Sequence, residues 1–146
     1  MPEYLGCDRS SEKVVSQIRQ YLRPAGLGEP DEPYSHAVLC DQTLYIAGQV
    51  ALDERNEIVG IGDAGRQAEQ VWVNIRGAVE AAGGGIEDVV KITIFLRDIR
   101  HAPAEIAVRQ RLFAEGRYPI CTQVQVANLA TPDLLMEIDA IAVIPS

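Results

Sequence analysis

The sequence predicts an α+β fold in which two helices cover one face of a mixed sheet. Residues 63–83 and 103–116 carry apolar side chains at helical spacing, and the segments around them are β-prone. The predicted order is an amino-terminal helix followed by β-β-α-β-α-β-β. Two helices in that order cover one face of a sheet that contains hairpins, so the other face must meet solvent or another copy of the chain.

The composition is that of one globular domain. The chain has 146 residues, 47% of them hydrophobic, and no shift in composition marks a second domain. We therefore predict a single domain over residues 1–146. The formal net charge is -8, and a chain without a basic excess cannot displace the counterions condensed on nucleic acid. Nucleic acid is therefore not expected as a partner.

The cysteines indicate neither a disulfide framework nor a metal site. Cys7, Cys40 and Cys121 are widely separated and lack Cys-x-x-Cys spacing or paired histidines. The amino terminus has no basic segment followed by an apolar run, and no stretch reaches the roughly 20 apolar residues that span a bilayer. We therefore expect a cytoplasmic protein with no membrane partner.

Residues 1–30 are predicted to form a helical extension and a connector. Ser10 or Ser11 suits the N-cap of a helix whose apolar residues recur at helical spacing up to Leu22, before a proline ends it. Residues 25–33 contain two glycines, two prolines and three acids, a composition typical of an exposed connector.

A hairpin is predicted after the connector. Residues 35–40 and 43–48 are β-prone runs separated by Asp41 and Gln42, which is the length of a tight turn, although the favoured glycine is missing. Residues 48–62 are then predicted to form a surface loop, since charged and turn-forming residues dominate them.

The clearest helix of the sequence begins after Asp63, which can cap it, and ends at the three glycines of residues 83–85. Its apolar residues follow the i, i+3, i+4, i+7 pattern: Ala68, Val71, Trp72, Ile75, Val79 and Ala82. Residues 89–96 then alternate between apolar and polar, which predicts a strand buried on one face.

One more helix and two strands complete the predicted fold. Pro103 suits the first turn of a helix that ends before Gly116. The predicted apolar stripe of this helix is Ile106, Ala107, Gln110, Leu112 and Phe113. Residues 121–127 and 134–144 are β-prone and are joined by a turn that contains a proline.

Two carboxylates interrupt the last strand. Because side chains alternate between faces along a strand, Glu137 and Asp139 point to one face and the apolar residues beside them point to the other. An ionised carboxylate is costly to bury unless a partner compensates its charge. The pair is therefore exposed to water, partnered or functional, and the strand pattern alone leaves these alternatives open.

Five segments of the chain match known motifs in order. They are EPYSHAV (32–38), LYIAGQV (44–50), VEAAG (79–83), DVVKITIFLRD (88–98) and MEIDAIAV (136–143). Together they resemble the Rid family, also called YjgF or endoribonuclease L-PSP. The resemblance covers residues 33–143, and the predicted first helix is similar to an extension of the usual family start.

The resemblance implies a chorismate-mutase-like fold and a homotrimer whose sheets form an inner β-barrel. It also implies three clefts between subunits, in which reactive enamines or imines are hydrolysed to ketones and ammonia without a metal or another cofactor. The expected partners are therefore a small-molecule substrate and other copies of this chain.

The resemblance also implies a set of cleft residues. Tyr34, Gly48, Gln49 and Glu137 match the family, in which the tyrosine and the glutamate line the cleft and the glutamate places a water beside the substrate. We expect Glu137 to be the catalytic residue and its pKa to be raised, because burial without a cationic partner disfavours the charged carboxylate. Asp139 is expected to face a wet or inter-subunit polar layer.

The chain departs from the family at the residue that would bind the substrate carboxylate. Members that deaminate imines carry an arginine where this chain has Cys121, and a thiol cannot form the two parallel hydrogen bonds of a guanidinium. Ala47 replaces a serine, Ile106 an asparagine and Gln123 a cysteine. Cys121 and Gln123 are therefore predicted to line an altered substrate site.

Two residues near this site have competing interpretations. Cys121 and His36 with a nearby carboxylate are the parts of covalent catalysis, but no helix amino terminus or fixed cation that would lower the thiol pKa is evident. An inert thiol is therefore preferred. His36 either caps an exposed strand edge or hydrogen-bonds a substrate.

The sequence thus predicts a deaminase-type hydrolase for a small enamine or imine other than the usual amino-acid-derived imines. The alternative is a non-catalytic trimer that binds or sequesters a metabolite. A ribonuclease, which an older family label suggests, conflicts with the acidic charge of the chain.

Overall fold

The computed structural model describes residues 18–146, which form one mixed six-stranded sheet and two α-helices. The strands are β1 (Arg19–Leu22), β2 (Ala37–Cys40), β3 (Thr43–Gln49), β4 (Val89–Leu96), β5 (Ile120–Gln125) and β6 (Met136–Val143), and the helices are α1 (Ala64–Ala81) and α2 (Ala102–Leu112). The strand order is β1-β2-β3-β6-β4-β5; β4 and β5 run parallel and the other neighbours antiparallel. The predicted α+β fold is confirmed. Within the described residues, no helix has the length and apolarity of a membrane span.

The predicted amino-terminal helix is wrong where the structure describes it. Residues 19–22 form β1, which pairs with β2 from Arg19 opposite Cys40 to Leu22 opposite Ala37. The edge of β2 presents N–H and C=O groups that need partners, and bonding to that edge outweighs a weak helical preference. The rest of that predicted helix lies outside the described residues. Residues 25–33 lack helix and strand, as expected for the connector.

The predicted hairpin of β2 and β3 is confirmed, with Cys40 opposite Thr43 across a two-residue turn. Asp41 adopts the left-handed conformation in this turn, with φ of 53°. A short polar side chain tolerates that conformation, which explains how the turn forms without glycine.

Helix α1 and strand β4 match their predictions. The Asp63 side chain caps α1 by accepting a hydrogen bond from the backbone N–H of Arg66 at 3.0 Å. Gly83, with φ of 89°, follows the end of α1. Trp72 on the apolar stripe is buried, as expected for a core residue.

Helix α2 occupies the predicted segment but buries a different face. Its buried residues are Ala102, Glu105 and Val108, whereas three residues of the predicted stripe are exposed: Ile106, Ala107 and Gln110. The helix turns Glu105 toward α1, where Trp72 Nε1 donates a hydrogen bond to its carboxylate at 3.1 Å. A carboxylate with hydrogen-bond partners can occupy an interior position that periodicity assigns to apolar residues.

The two helices cover one face of the sheet. Ile92 and Ile94 of β4 and Ile138 of β6 are buried on that face. Glu137 and Asp139 point to the opposite face, as the alternation along β6 predicts, and both are half-buried. No described element covers this second face. The trimer and its inner barrel stay predictions.

Candidate active site

Glu137 lies on the uncovered face of the sheet, where β6 runs between β3 and β4. Burial raises the pKa of the Glu137 carboxyl, and the negative charge of Asp139, two residues along the same face, raises it further. Both effects act in the expected direction. A carboxyl with a raised pKa exchanges protons closer to neutral pH than an exposed glutamate does.

The Glu137 carboxylate lies against Gly48 of β3. The pairing of β3 with β6 shifts register between Ile46 and Gln49, which marks an irregularity in the strand. A Cβ on Gly48 would be 2.5 Å from Oε1 of Glu137, closer than nonbonded atoms approach. Glycine therefore leaves the space that the carboxylate occupies.

Tyr34, which directly follows the connector, brings a phenol to this region, where it lines a cavity together with Gly48. Partial burial raises the pKa of Tyr34, and the negative charges of Asp31, Glu32 and Glu137 add to the effect. The phenol is therefore protonated at neutral pH and available as a hydrogen-bond donor.

His36 and Gln49 hold the connector against β3. His36 Nε2 donates a hydrogen bond to the carbonyl oxygen of Gly28 at 2.7 Å, so Nδ1 of the neutral ring is the acceptor. Gln49 Nε2 donates to that Nδ1 at 3.3 Å and to the carbonyl oxygen of Ala47 at 3.2 Å. His36 thus ties the connector to the strand that carries Gly48, a role that neither of its sequence interpretations included.

A small cavity lies beside Gly48. It has a volume of about 30 Å³, and its lining includes Tyr34, His36, Gln49 and Asn74. This volume suits one water molecule, for which His36, Gln49 and Asn74 offer polar atoms in an otherwise largely apolar wall. A water here would lie next to the backbone against which Glu137 packs.

Cys121 and Gln123 lie apart from Glu137 within one chain. On the edge strand β5, Cys121 is opposite Ile92 and Gln123 is opposite Ile94. Paired residues share a face, and these isoleucines face the helices, whereas Glu137 faces away from them. The five predicted site residues therefore divide into a group beside Gly48, made of Tyr34, Gln49 and Glu137, and a group at the β5 edge. Within the first group Gln49, which is opposite Ile138, is buried on the helix-covered face, whereas Glu137 faces away from it.

A buried polar cluster on α2 was missed by the sequence analysis. Glu105 is fully buried, and its carboxylate accepts hydrogen bonds from Trp72 Nε1 at 3.1 Å and from Arg109 Nη2 at 2.9 Å. Burial raises the pKa of Glu105, and the charge of Arg109 and these hydrogen bonds oppose that shift. The available signal was the i, i+4 spacing of the two charges, which is more typical of an exposed helix face.

The group beside Gly48 has the parts of an acid–base site. It combines a carboxyl of raised pKa with a protonated phenol, and a cavity large enough for a water adjoins Gly48. In the described part of the chain, no three His, Cys, Asp or Glu side chains are grouped so that they could hold a metal ion.

Related proteins are similar to this chain over most of its length. A family model described as Endoribonuclease L-PSP matches residues 25–144. The RutC family protein slr0709 of Synechocystis sp. is 40% identical over 126 residues, which are 86% of this chain and 96% of that protein. The 3-aminoacrylate deaminase RutC of Acinetobacter baylyi is 38% identical over 125 residues, or 85% of this chain and 97% of that protein.

Solved structures share the fold described above. The crystal structure of RidA from an Antarctic Psychrobacter sp. has a TM-score of 0.78 and 35% identity, and the match covers 86% of this chain and 99% of RidA. The yeast protein YEO7 has a TM-score of 0.81 and 30% identity, with 88% of this chain and 100% of that chain covered. The fold of these proteins therefore extends over nearly all of the described residues.

Proposed function

This chain belongs to the endoribonuclease L-PSP family, which includes the RutC and Rid proteins, and on that basis we propose that it is a hydrolase that deaminates a small enamine or imine. One relative is named 3-aminoacrylate deaminase, and 3-aminoacrylate is an enamine. The observation that carries the proposal is the half-buried Glu137 carboxyl, packed against Gly48, with Tyr34 beside Gly48 in the wall of the small cavity.

Glu137 transfers protons in the proposed reaction. An enamine first takes a proton on carbon and gives up one N–H proton, which converts it to an imine. Water oxygen then bonds to the C=N carbon, the π electrons move to nitrogen, and one water proton passes through Glu137 to that nitrogen. In the second step the hydroxyl proton follows the same route, the C–N bond breaks, and a carbonyl compound and ammonia leave. A positioned acid–base group of this kind contributes about 10²–10⁴-fold in rate, and the route needs no metal or other cofactor.

Tyr34 and Gln49 orient the reactants in this proposal. The protonated phenol of Tyr34 donates a hydrogen bond to the substrate, and the Glu137 carboxylate holds the attacking water. The Gln49 amide nitrogen bonds Ala47 and His36, so in this proposal Gln49 acts by holding His36, and with it the segment that carries Tyr34, in place.

The complete cleft is proposed to form between copies of the chain in a homotrimer. Two features support this assembly. The Glu137 group and the β5 group lie on different faces within one chain, so a neighbouring copy is needed to bring them together. The face that carries Glu137 also has no described layer over it, and a second copy would cover it.

The substrate is proposed to differ from amino-acid-derived imines. Cys121 is exposed on β5, at the position where the family resemblance expects a guanidinium. A thiol there gives a substrate carboxylate no charge-assisted hydrogen bond. Cys121 and Gln123 are therefore proposed to contact a part of the substrate that carries no charge.

A non-catalytic trimer that binds a metabolite is the second candidate. It is favoured by the same substitution at Cys121 and by Ala47, which lacks the hydroxyl that the resemblance expects beside Gly48. This candidate keeps the cleft and the hydrogen bonds of Tyr34 and Gln49, but it has no turnover.

Ammonia release separates the two candidates. We would incubate the protein with 2-aminoacrylate generated in situ, with 3-aminoacrylate and with uncharged and aromatic enamines, and compare each rate with spontaneous hydrolysis. Accelerated release from at least one enamine is expected for the hydrolase. Spontaneous rates throughout, together with tight binding of a metabolite, would favour the binder.

A further inference from the structure

We propose that a pocket at the end of β1 binds an uncharged aromatic ring with a hydrogen-bonding group, and that this ring is a substituent of the substrate. The pocket, which we call the connector pocket, is lined by residues 21–24, 27–30 and 34–36 and has a volume of about 230 Å³. Most of this lining precedes the first of the five matched motifs, which begins at Glu32, so the family resemblance implies nothing about it. The assignment of the ring to a substrate rests on the deaminase proposed above.

The connector pocket adjoins the group beside Gly48. Tyr34 and His36 line both this pocket and the small cavity beside Gly48. The backbone N–H of Ala47 donates to the carbonyl oxygen of His36 at 2.9 Å, which continues the pairing of β2 and β3 toward Gly48. A substrate that accepts a hydrogen bond from Tyr34 can therefore extend a substituent into the pocket.

Two side-chain hydrogen bonds fix the wall of the pocket that the connector forms. His36 Nε2 donates to the carbonyl oxygen of Gly28 at 2.7 Å, and Asn56 Nδ2 donates to that of Glu29 at 2.9 Å. Glycine is needed at position 28, because a Cβ there would collide with the Asn56 side chain. Residues 25–33 lack helix and strand, so these bonds hold the wall in place of a backbone ladder. A wall that is already fixed loses little conformational freedom when a ligand binds.

The lining sets the chemistry of the ligand. Tyr21 and Tyr34 are 67% and 47% exposed and offer aromatic surfaces against which a flat ring packs. Ser35 adds a hydroxyl to those of the two phenols. Arg23 Nη1 lies 3.6 Å from Glu29 Oε1, so the charges of these two lining residues compensate each other. A charged ligand would have to compete with one of them, which favours an uncharged ligand.

The size of the pocket limits the ligand to a single ring. An apolar cavity of roughly 150 Å³ holds benzene, and drug-sized ligands occupy roughly 300–1,000 Å³. The volume of about 230 Å³ therefore suits one benzene-sized ring with a short carbonyl, amide or hydroxyl substituent.

The first test compares benzamide with benzoate, which has nearly the same shape but carries a charge. Each would be titrated into the full-length protein and followed by NMR shifts of Tyr21 and Ser35. We expect saturable binding of benzamide that is about tenfold tighter than that of benzoate or more, because Arg23 is already paired with Glu29 and the dehydrated carboxylate is not compensated. Equal affinities, or no saturable binding of benzamide, would overturn the proposal.

Asn56→Gly assigns the binding to the wall that the connector forms. Asn56 has a φ of 59°, which glycine also adopts, so the substitution removes the amide without straining the loop. We expect the affinity for benzamide to fall by about 3- to 10-fold, as the loss of one hydrogen bond provides. The matched control is Asp41→Gly in the turn between β2 and β3, where φ is 53°; it should keep the wild-type affinity. Equal affinities in the two variants would contradict the assignment.

The second test asks whether the ring belongs to the substrate. Ammonia release would be measured with the imines of acetophenone and of acetone, each rate being divided by the spontaneous rate. We expect kcat/KM to be about tenfold higher for the acetophenone imine, and Tyr21→Ala to lose this preference, because a ring in the pocket packs against Tyr21. Ile18→Ala, at an exposed residue outside the pocket lining, should keep it.

The two tests separate the ring site from the deaminase. Accelerated release with equal kcat/KM for both imines would overturn the assignment of the ring to the substrate and leave the deaminase standing. Spontaneous rates with every enamine and imine, together with the expected binding of benzamide, would overturn the deaminase and leave the ring site standing.

Discussion

The carboxylate of Glu137 packs against the backbone of Gly48 so closely that a Cβ at Gly48 would be 2.5 Å from Oε1. The contact shields a charged group on a sheet face that no described element covers. Burial is the larger cause of the raised Glu137 pKa, ahead of the charge of Asp139. The absence of a side chain at Gly48 therefore lets the carboxylate occupy the half-buried position in which burial raises its pKa.

Gly48→Ala tests this contact. The added methyl displaces the Glu137 carboxylate, and we expect kcat to fall by about tenfold or more because misplaced catalytic groups lose much of their effect. The matched control is Gly65→Ala in α1, where the nearest atom to a new Cβ is Asp63 Oδ1 at 3.5 Å. That control should stabilise the helix by about 0.5–1 kcal/mol and leave kcat unchanged. Wild-type kcat in Gly48→Ala would show that the contact has no catalytic role.

Asp139→Asn tests how much the charge of Asp139 contributes to the raised pKa of Glu137. Removing the charge of Asp139 should lower the Glu137 pKa but leave it above its ordinary value, because burial persists. A ¹³C NMR titration of the Glu137 carboxyl measures the change. Asp41→Asn, at the opposite end of β3, alters the net charge equally and should have no such effect. A Glu137 pKa that is unchanged in Asp139→Asn would refute the coupling.

Glu137→Gln is expected to change stability in a pH-dependent way. The folded-state pKa of Glu137 is raised, so the folded protein binds this proton more tightly than the unfolded chain does. The resulting stabilisation is complete below the unfolded pKa of roughly 4.3 and is lost as pH rises through the folded pKa. In urea unfolding at matched protein concentration, the free energy of unfolding of Glu137→Gln should therefore increase relative to that of the wild type as pH rises. A stability difference that is constant over that range would contradict the raised pKa.

Cys121→Arg tests whether the lack of a guanidinium at position 121 limits activity toward amino-acid-derived imines. The exposed position accepts a long side chain, and a guanidinium there should raise kcat/KM for amino-acid-derived imines by roughly 10- to 100-fold through charge-assisted hydrogen bonds. Ile120→Arg is the control, because Ile120 is exposed on the opposite face. Equal gains in both variants would indicate a general charge effect. No gain in Cys121→Arg would mean that Ala47 or Ile106 also limits this activity.

Local sequence patterns predicted most of the fold because they match the periods of the elements. The alternation of residues 89–96 gave the bounds of β4, and Asp63 marked the start of α1. The pattern failed at β1, where pairing with the free edge of β2 overrides a weak helical preference. It failed again on α2, where two hydrogen-bond partners allow Glu105 to be buried. Trp72 is distant in sequence, and Arg109 has the i, i+4 spacing that is more typical of an exposed charge pair.

The candidate site was predictable in part. Alternation along β6 placed Glu137 and Asp139 on one face, and the family resemblance selected Glu137. The hydrogen bonds from His36 to Gly28 and from Gln49 to His36 connect segments that no local pattern relates. The separation of Cys121 from Glu137 depends on strand order and register, which follow from the whole sheet.

The central claim is that Glu137 transfers protons during hydrolysis of an enamine or imine. Its most direct test is the rate of ammonia release by the wild type and by Glu137→Gln, measured with the enamine that the wild type hydrolyses fastest and with folding checked by circular dichroism. We predict that the wild type exceeds the spontaneous rate and that Glu137→Gln lowers kcat by about 10²–10⁴-fold. Ammonia release by Glu137→Gln at the wild-type rate would contradict the claim.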